Sequence, residues 1–225
     1  MGTGQEIRIC RCNMIKELKK RDCDVNIRLT PCGNQYLHFE MNVGGDKFEY
    51  LAASTVGEQF GAFVSAVYKL FIEDVQDECA TGGKHEYLSD ENHVIHTVVT
   101  KVSWDEEGTD IDIAFSRKIT GEIDYENDML YIEIRSCDDI LKKYTLKTKD
   151  FCYAVAKACT EVLKKYGFYG YRYSTEYDYF ILYQLLYIKC FALGNFEARE
   201  LIHDDDKSAK KTSFEKEIEL LMFDM

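Results

Sequence analysis

The sequence predicts an α+β fold in which antiparallel β-sheet meanders are covered on one face by two to three helices. Apolar residues alternate with polar ones in Asp24–Ala53 and in Val94–Arg135, which is the period of strands with one buried face. Apolar residues recur instead at helical spacing after Thr55, along Lys149–Lys165 and in a short C-terminal helix after Thr212.

Glycine-containing turns separate the strands of the first predicted meander. Pro31 to Asn34 forms one turn, and Gly44-Gly45 forms a second turn of two residues. Both central residues of a type I′ hairpin turn have positive φ, which glycine adopts without steric cost. The region from Asp24 to Ala53 is therefore predicted to form three antiparallel strands.

A helix is predicted to follow the first meander, and further strands to follow that helix. Thr55 and Glu58 match a capping box, in which the two side chains satisfy exposed backbone amides at a helix start. Apolar residues then recur at helical spacing along Phe60–Val75. We interpret Asp77–Glu91 as a polar loop. Three strands are predicted after it: Val94–Trp104, Asp110–Ile119 and Met129–Arg135.

Aromatic residues concentrate in the segment Thr148–Phe191, which contains thirteen of the chain's 30 aromatic residues. Because each buried ring removes roughly 150 to 250 Å² from water, this segment is predicted to anchor the core. We expect two helices here, joined by an aromatic elbow, Tyr166–Tyr173, with Gly167 ending the first helix. The second helix is apolar on nearly every side, so we expect it to be buried on several.

The chain is predicted to form a single domain spanning residues 1–225. It contains one proline and no long glycine or serine tract that would indicate a linker. An organisation in two halves, residues 1–78 and 92–193, stays open because each half passes from strands into a helix with similar apolar spacing. A structural or oligomerisation module is one functional hypothesis, and the sequence indicates no oligomeric state.

The nine cysteines favour a reducing compartment, the cytoplasm. Their number is odd and they are spread along Cys10–Cys190, unlike a compact disulfide framework. No secretory hydrophobic region follows Met1. The longest apolar run, Tyr179–Leu193, includes Gln184 and Lys189 and is shorter than the about 20 residues that span a bilayer. We therefore expect a cytoplasmic protein with free, mostly buried thiols and no membrane segment.

The formal net charge of −12 argues against nucleic acid as a partner. Proteins that bind duplexes need a basic surface to replace the counterions of the phosphates. The segment Glu73–Asp128 contains 16 acidic and 4 basic residues, so it accounts for the whole net charge. The middle of the chain is therefore the part whose electrostatics suggest a function.

The leading hypothesis is a non-enzymatic binding protein whose acidic meander surface docks a basic protein partner. Negative potential steers a cationic partner towards the surface and contributes selectivity. A toxin-neutralising protein of the immunity type would fit this design. The predicted partner-binding residues lie in two hairpin connections: Asp105, Glu106, Glu107, Asp110, Glu122, Asp124 and Glu126.

The alternative is a metal-dependent hydrolase or other enzyme that uses the loop from Cys79 to His96. Cys79, His85 and His93 offer ligand types that suit zinc, with carboxylates nearby. On a strand, His93 and His96 would point to opposite faces, so one ion could not bind both. The sequence contains no phosphate-binding loop, dinucleotide-binding glycine motif, nucleophile elbow or zincin motif. No cofactor is therefore predicted, and no motif indicates a known family.

Overall fold

The computed structural model describes residues 24–32, 36–53, 59–71, 84–90, 93–106, 109–119, 126–137, 139–175, 182–194 and 214–222. Within these ranges it contains strands and helices in the α+β arrangement that the sequence predicts. The strands are β1 (Val25–Pro31), β2 (Tyr36–Val43), β3 (Asp46–Ala53), β4 (Lys84–Asp90), β5 (His93–Glu106), β6 (Thr109–Ile119), β7 (Met129–Ser136) and β8 (Asp139–Lys147). The helices are α1 (Gln59–Lys69), α2 (Thr148–Thr175), α3 (Leu182–Ala192) and α4 (Phe214–Met222).

The strands form two antiparallel meanders that share one hydrogen-bonded sheet. The first meander contains β1, β2 and β3, and the second contains β5, β6, β7 and β8. Among the described residues, Ala53 of β3 and Asp105 of β5 form one register pair between the meanders. Strand β4 pairs with the opposite part of β5, from His93 to Val99. The end of β5 that carries Asp105 therefore lies where the two meanders meet.

Two strands were not predicted. The expected polar loop Asp77–Glu91 is wrong for Lys84–Asp90, which form β4 along the edge of β5. Strand β8 has no sequence prediction, because only Tyr144 and Leu146 of its nine residues are buried. Both strands obtain their hydrogen bonds from a neighbouring strand, so their own sequences need not alternate strongly.

The hairpin between β2 and β3 forms as predicted. Gly44 and Gly45 have φ values of 58° and 90°, so both occupy the region that a type I′ turn requires. The backbone N–H of Gly45 donates a 3.0 Å hydrogen bond to Asn42 Oδ1. The turn fixes the register of β2 against β3, in which Glu40 lies opposite Glu49.

The centre of the core is a cluster of rings contributed by both meanders and by α1. Phe39 of β2 lies 4.9 Å from Trp104 of β5 and 5.4 Å from Phe63 of α1, measured between ring centroids. Phe63 lies 6.0 Å from Phe115 of β6, which in turn lies 5.5 Å from Phe151 of α2. These edge and tilted contacts are favourable ring geometries. The core therefore extends well beyond the aromatic segment that the sequence predicts as its anchor.

The helices cover the inner face of the sheet, as predicted. Phe151, Val155 and Val162 of α2 are all buried, in agreement with the expected apolar face. Helix α2 is interrupted at Gly167, whose φ of 64° and ψ of 176° are accessible to glycine. The backbone is helical again after this residue, so the predicted elbow at Tyr166–Tyr173 is one kink followed by further helix. Every residue of α3 from 184 to 192 is buried, which confirms its predicted environment.

The C-terminal helix is held through a buried lysine of α3. The side chain of Lys189 is fully buried, and its Nζ donates hydrogen bonds of 3.1 Å to Leu220 O and 2.8 Å to Leu221 O. These carbonyls belong to the last turn of α4, where the helix dipole favours a cation. Among the described helices, none combines the length and apolarity that crossing a membrane requires.

Candidate functional site

The tip of the hairpin formed by β5 and β6 is the most acidic part of the described sheet. The register places Asp105 opposite Asp110 and Glu106 opposite Thr109. Acidic residues directly opposite each other on neighbouring strands repel and destabilise the pair. Asp110 is exposed, and Glu107 of the predicted site lies outside the described residues. We call the described residues of this tip, 105–106 and 109–110, the acidic tip.

The turn between β7 and β8 lies at the same end of the sheet as the acidic tip. Ile111 of β6 pairs with Ser136 of β7, and Ser136 pairs with Asp139 of β8. Asp139 is exposed and stands two strands from β6, about 10 Å at normal strand spacing. It was not among the predicted site residues. The sequence did not predict β8, and this strand brings Asp139 to this end of the sheet.

The structure does not place Glu126 beside the acidic tip. Glu126 lies shortly before β7, at the end of the sheet where Arg117 of β6 is opposite Leu130 of β7. Along β6, Asp110 and Arg117 are seven residues apart, about 24 Å in a strand. Consecutive turns of a meander lie at opposite ends of the sheet, so Glu126 and Asp110 are separated by about the length of β6. Glu122 and Asp124, in the connection that contains Glu126, lie outside the described residues.

Several described acids of the central segment are neutralised by cations of the chain itself. Asp112 is 2.5 Å from Lys101 Nζ, and Glu126 forms an ion pair with the largely buried Lys149. Asp128 pairs with Arg117, and both of these side chains are buried. Asp110 forms no ion pair with any residue that the structure describes. Asp110 is therefore one exposed acid of this segment whose charge stays available to a partner.

The predicted zinc ligands are not brought together by the described backbone. His85 lies opposite Val98, whereas His93 lies opposite Asp90 at the far end of the β4 and β5 pairing. These positions are five register steps apart, about 17 Å along the strands. Cys79, the third candidate ligand, lies outside the described residues.

A different set of metal-ligand side chains occurs on the outer face of the first meander. His38, Glu40 and Glu49 have ligand atoms within 4.8 Å of one another. Sequence analysis missed this set, although the Gly44-Gly45 turn predicts that positions 40 and 49 lie opposite each other. The spacing of the three groups would suit a small divalent cation.

Cations of the protein already occupy the carboxylates of that set. Lys47 forms ion pairs with Glu40 and Glu49, and Arg28 Nη1 lies 3.9 Å from Glu40. The hydrogen bond from Lys47 lowers the pKa of Glu49 below its ordinary value. A metal ion would have to displace these partners. We therefore interpret the set as a charge-paired outer face of the sheet.

Comparison with known proteins identifies no relative on which to base a function. No protein-family model, curated protein or solved structure matches the chain.

Proposed function

We propose that this protein is a non-enzymatic cytoplasmic binding protein that docks a basic protein partner at its acidic tip. The observation that carries the proposal is the register pair Asp105 and Asp110. Two acidic residues in direct opposition cost stability, so a contribution to partner binding would explain why they are there. A cationic toxin neutralised by this protein is one partner that has the required charge.

The electrostatics of the acidic tip support rapid association with a cation-rich molecule. Asp110 is exposed and Asp105 and Glu106 share its hairpin, while the nearby Asp112 is neutralised by Lys101. Unpaired surface charges raise the rate of encounter with an oppositely charged partner and contribute less to final affinity. The proposed surface therefore acts mainly by raising the rate at which the basic partner associates.

The cytoplasmic location is supported by the state of the cysteines. The five cysteines that the structure describes are free thiols: Cys32, Cys137, Cys152, Cys159 and Cys190. Free thiols persist in reducing compartments, whereas secreted proteins commonly pair them.

The experiment compares two double charge reversals that change the net charge equally. Glu106→Lys with Asp110→Lys alters the acidic tip, and Glu161→Lys with Glu219→Lys alters exposed positions on α2 and α4. Association of a fluorescent lysine-rich peptide is followed by stopped flow at low and at physiological salt. We expect the tip variant to associate about tenfold more slowly at low salt, with a smaller difference at higher salt.

The control variant distinguishes a local field from the net charge of the molecule. If the tip directs association, the α2 and α4 variant keeps most of the wild-type rate. Equal slowing of both variants would show that only the net charge matters, and the proposed docking surface would then be rejected.

A further inference from the structure

The outer face of the second meander is open to solvent and carries an exposed aromatic ring, that of Tyr131 in β7. This side chain is 40% exposed. The register places Tyr131 opposite Ser116 of β6 and Thr145 of β8, which are both too small to cover the ring. Tyr131 makes no ring contact or hydrogen bond with any residue that the structure describes. Its ring is therefore available to a partner, and tyrosine is a residue that interfaces favour.

Lysines occupy three of the four positions diagonal to Tyr131 on this face. Lys143 and Lys147 lie on either side of its register partner in β8, and Lys118 lies two residues after its partner in β6. All three lysines are exposed. Diagonal neighbours in a sheet are about 7–8 Å apart, within reach of long side chains. The fourth diagonal position is Ala114, so cations surround most of the ring.

The cations around the ring outnumber the acids beside them. Glu133 has one carboxylate, and two cations share it: Lys143, whose Nζ lies 3.0 Å from it, and Arg135. Lys118 and Lys147 form no ion pair with any described residue. Four cations therefore lie beside one carboxylate, which leaves a surplus of three positive charges.

The other described acids between β5 and β8 do not offset this surplus. Asp112, Glu126 and Asp128 each form an ion pair with a cation of the protein. Asp139 and the acidic tip lie at least five residues along the strands from the ring, about 17 Å. The Debye length at physiological ionic strength is about 8 Å, so their charges are largely screened there. The outer face around the ring is therefore locally positive.

The size of this patch determines which anionic partner fits it. Lys143 and Lys147 are four residues apart on β8, about 13 Å in a strand. A nucleic acid carries a phosphate at every nucleotide, so its charges would continue beyond the patch onto a molecule whose net charge is −12. A short protein segment can confine its carboxylates to the patch. The local surplus therefore favours an acidic protein segment over a nucleic acid.

We propose that the outer face around Tyr131 binds an acidic segment of a partner protein. The ring packs against the segment, and Lys118, Lys143 and Lys147 pair with its carboxylates. Interfaces commonly combine an aromatic anchor with surrounding charges that select the partner. This face is separate from the acidic tip, so the inference does not depend on the proposed function.

The experiment uses two fluorescent peptides of equal length, one with three glutamates and one with glutamines at the matching positions. Fluorescence anisotropy measures their affinity for the wild-type protein at low and at physiological salt. We expect the glutamate peptide to bind about tenfold more tightly at low salt, with a smaller difference at higher salt, because exposed ion pairs are individually weak and screened.

Matched variants locate the preference for glutamate. Lys118→Gln with Lys147→Gln should remove most of it. Lys157→Gln with Lys165→Gln removes the same charge from α2 and should retain it. All of these positions are at least partly exposed, so both double variants should fold, which circular dichroism checks.

Two substitutions of Tyr131 test the contribution of the ring. Tyr131→Ser should weaken binding of the glutamate peptide about fivefold, because it removes the proposed anchor. Tyr131→Phe keeps the ring and should bind as the wild type does. An equal loss in the two variants would show that the ring does not pack against the peptide.

Three further outcomes would overturn the inference. The first is equal affinity of the two peptides for the wild type, or equal loss in both double lysine variants. The second is tighter binding of a ten-nucleotide deoxythymidine strand than of the glutamate peptide, which would assign the face to nucleic acid. The third is a dimer in analytical ultracentrifugation that disappears in the Lys118 and Lys147 variant, which would assign the face to a second copy.

Discussion

Arg117 Nε lies 2.6 Å from Asp128 Oδ2 in the interior of the protein. Arg117 Nη1 also donates a 2.9 Å hydrogen bond to Leu70 O, and the guanidinium carbon lies 5.2 Å from the Phe71 ring centroid. The backbone N–H of Thr148 donates to Asp128 O over 2.9 Å. One buried charge pair thus links β6, the chain before β7, the end of α1 and the start of α2.

Replacing Asp128 with alanine should destabilise the protein by about 3–5 kcal/mol, because the buried guanidinium loses its counterion. Urea unfolding measures the change through the fluorescence of Trp104, the single tryptophan, which is buried in the ring cluster. Asp112→Ala is the control, since the side chain of its partner Lys101 is 44% exposed and ion pairs in contact with solvent contribute about 1 kcal/mol or less. Equal losses in the two variants would contradict a special role for the buried pair.

Part of this pair was predictable from the sequence. Arg117 continues the alternation of Ile111, Ile113 and Phe115, so its position on the inner face follows from the period of β6. Its partner was not predictable. Asp128 precedes β7 and lies outside the alternating pattern of that strand, so the period of the sequence does not place its carboxylate beside the guanidinium.

The register of the hairpin between β2 and β3 could also be predicted from the sequence. A two-residue turn at Gly44-Gly45 makes positions equidistant from it partners, which places Glu40 opposite Glu49. Counting strands would likewise have separated Glu126 from Asp110, because successive turns of a meander alternate between ends. The register shift in β8, where Leu141 is an extra residue between the partners of Ile134 and Arg135, could not be predicted, since it depends on how β8 pairs with β7.

Replacing Lys189 with methionine should loosen α4 selectively. The variant keeps the apolar stem of the side chain but removes the donors to Leu220 O and Leu221 O. Hydrogen bonds from a charged group contribute about 1.5–3 kcal/mol in total, so amides of Phe214–Met222 should exchange about tenfold faster or more. Hydrogen exchange followed by mass spectrometry measures this, with the exposed Lys118→Met as the control. Unchanged protection of α4 would show that its apolar contacts suffice.

The described cysteines should divide into two classes of reactivity. Burial raises the pKa of the Cys152, Cys159 and Cys190 thiols, whereas Cys32 and Cys137 are exposed. The thiolate is the reactive form, so alkylation near neutral pH should modify Cys32 and Cys137 and spare the other three. Peptide mapping after brief iodoacetamide treatment identifies the modified sites. Rapid modification of Cys159 in the folded protein would contradict the packing of α2 against α3.

The free energy of unfolding should fall in alkaline solution, because buried groups of the folded protein have raised pKa values. Burial raises the pKa of Tyr68 to about 12, that of Tyr144 to about 12 and that of Cys190 to about 12. The unfolded chain loses these protons first, near pH 10 for tyrosine and pH 9 for cysteine, so it binds fewer protons than the folded state. The stabilisation is therefore complete below about pH 9 and is lost as the pH rises towards 12.

The phenol of Tyr68 provides a test of this linkage. Its ring contacts Tyr187 at 5.2 Å and Tyr183 at 5.6 Å between centroids, and its pKa is raised mainly by burial. Tyr68→Phe keeps the ring and removes the ionisable group, so the free energy of unfolding should fall less steeply between pH 10 and 12 than in the wild type. Urea unfolding at a series of pH values measures both slopes. Identical slopes would show that Tyr68 ionises as readily in the folded protein as in the unfolded chain and would contradict this prediction.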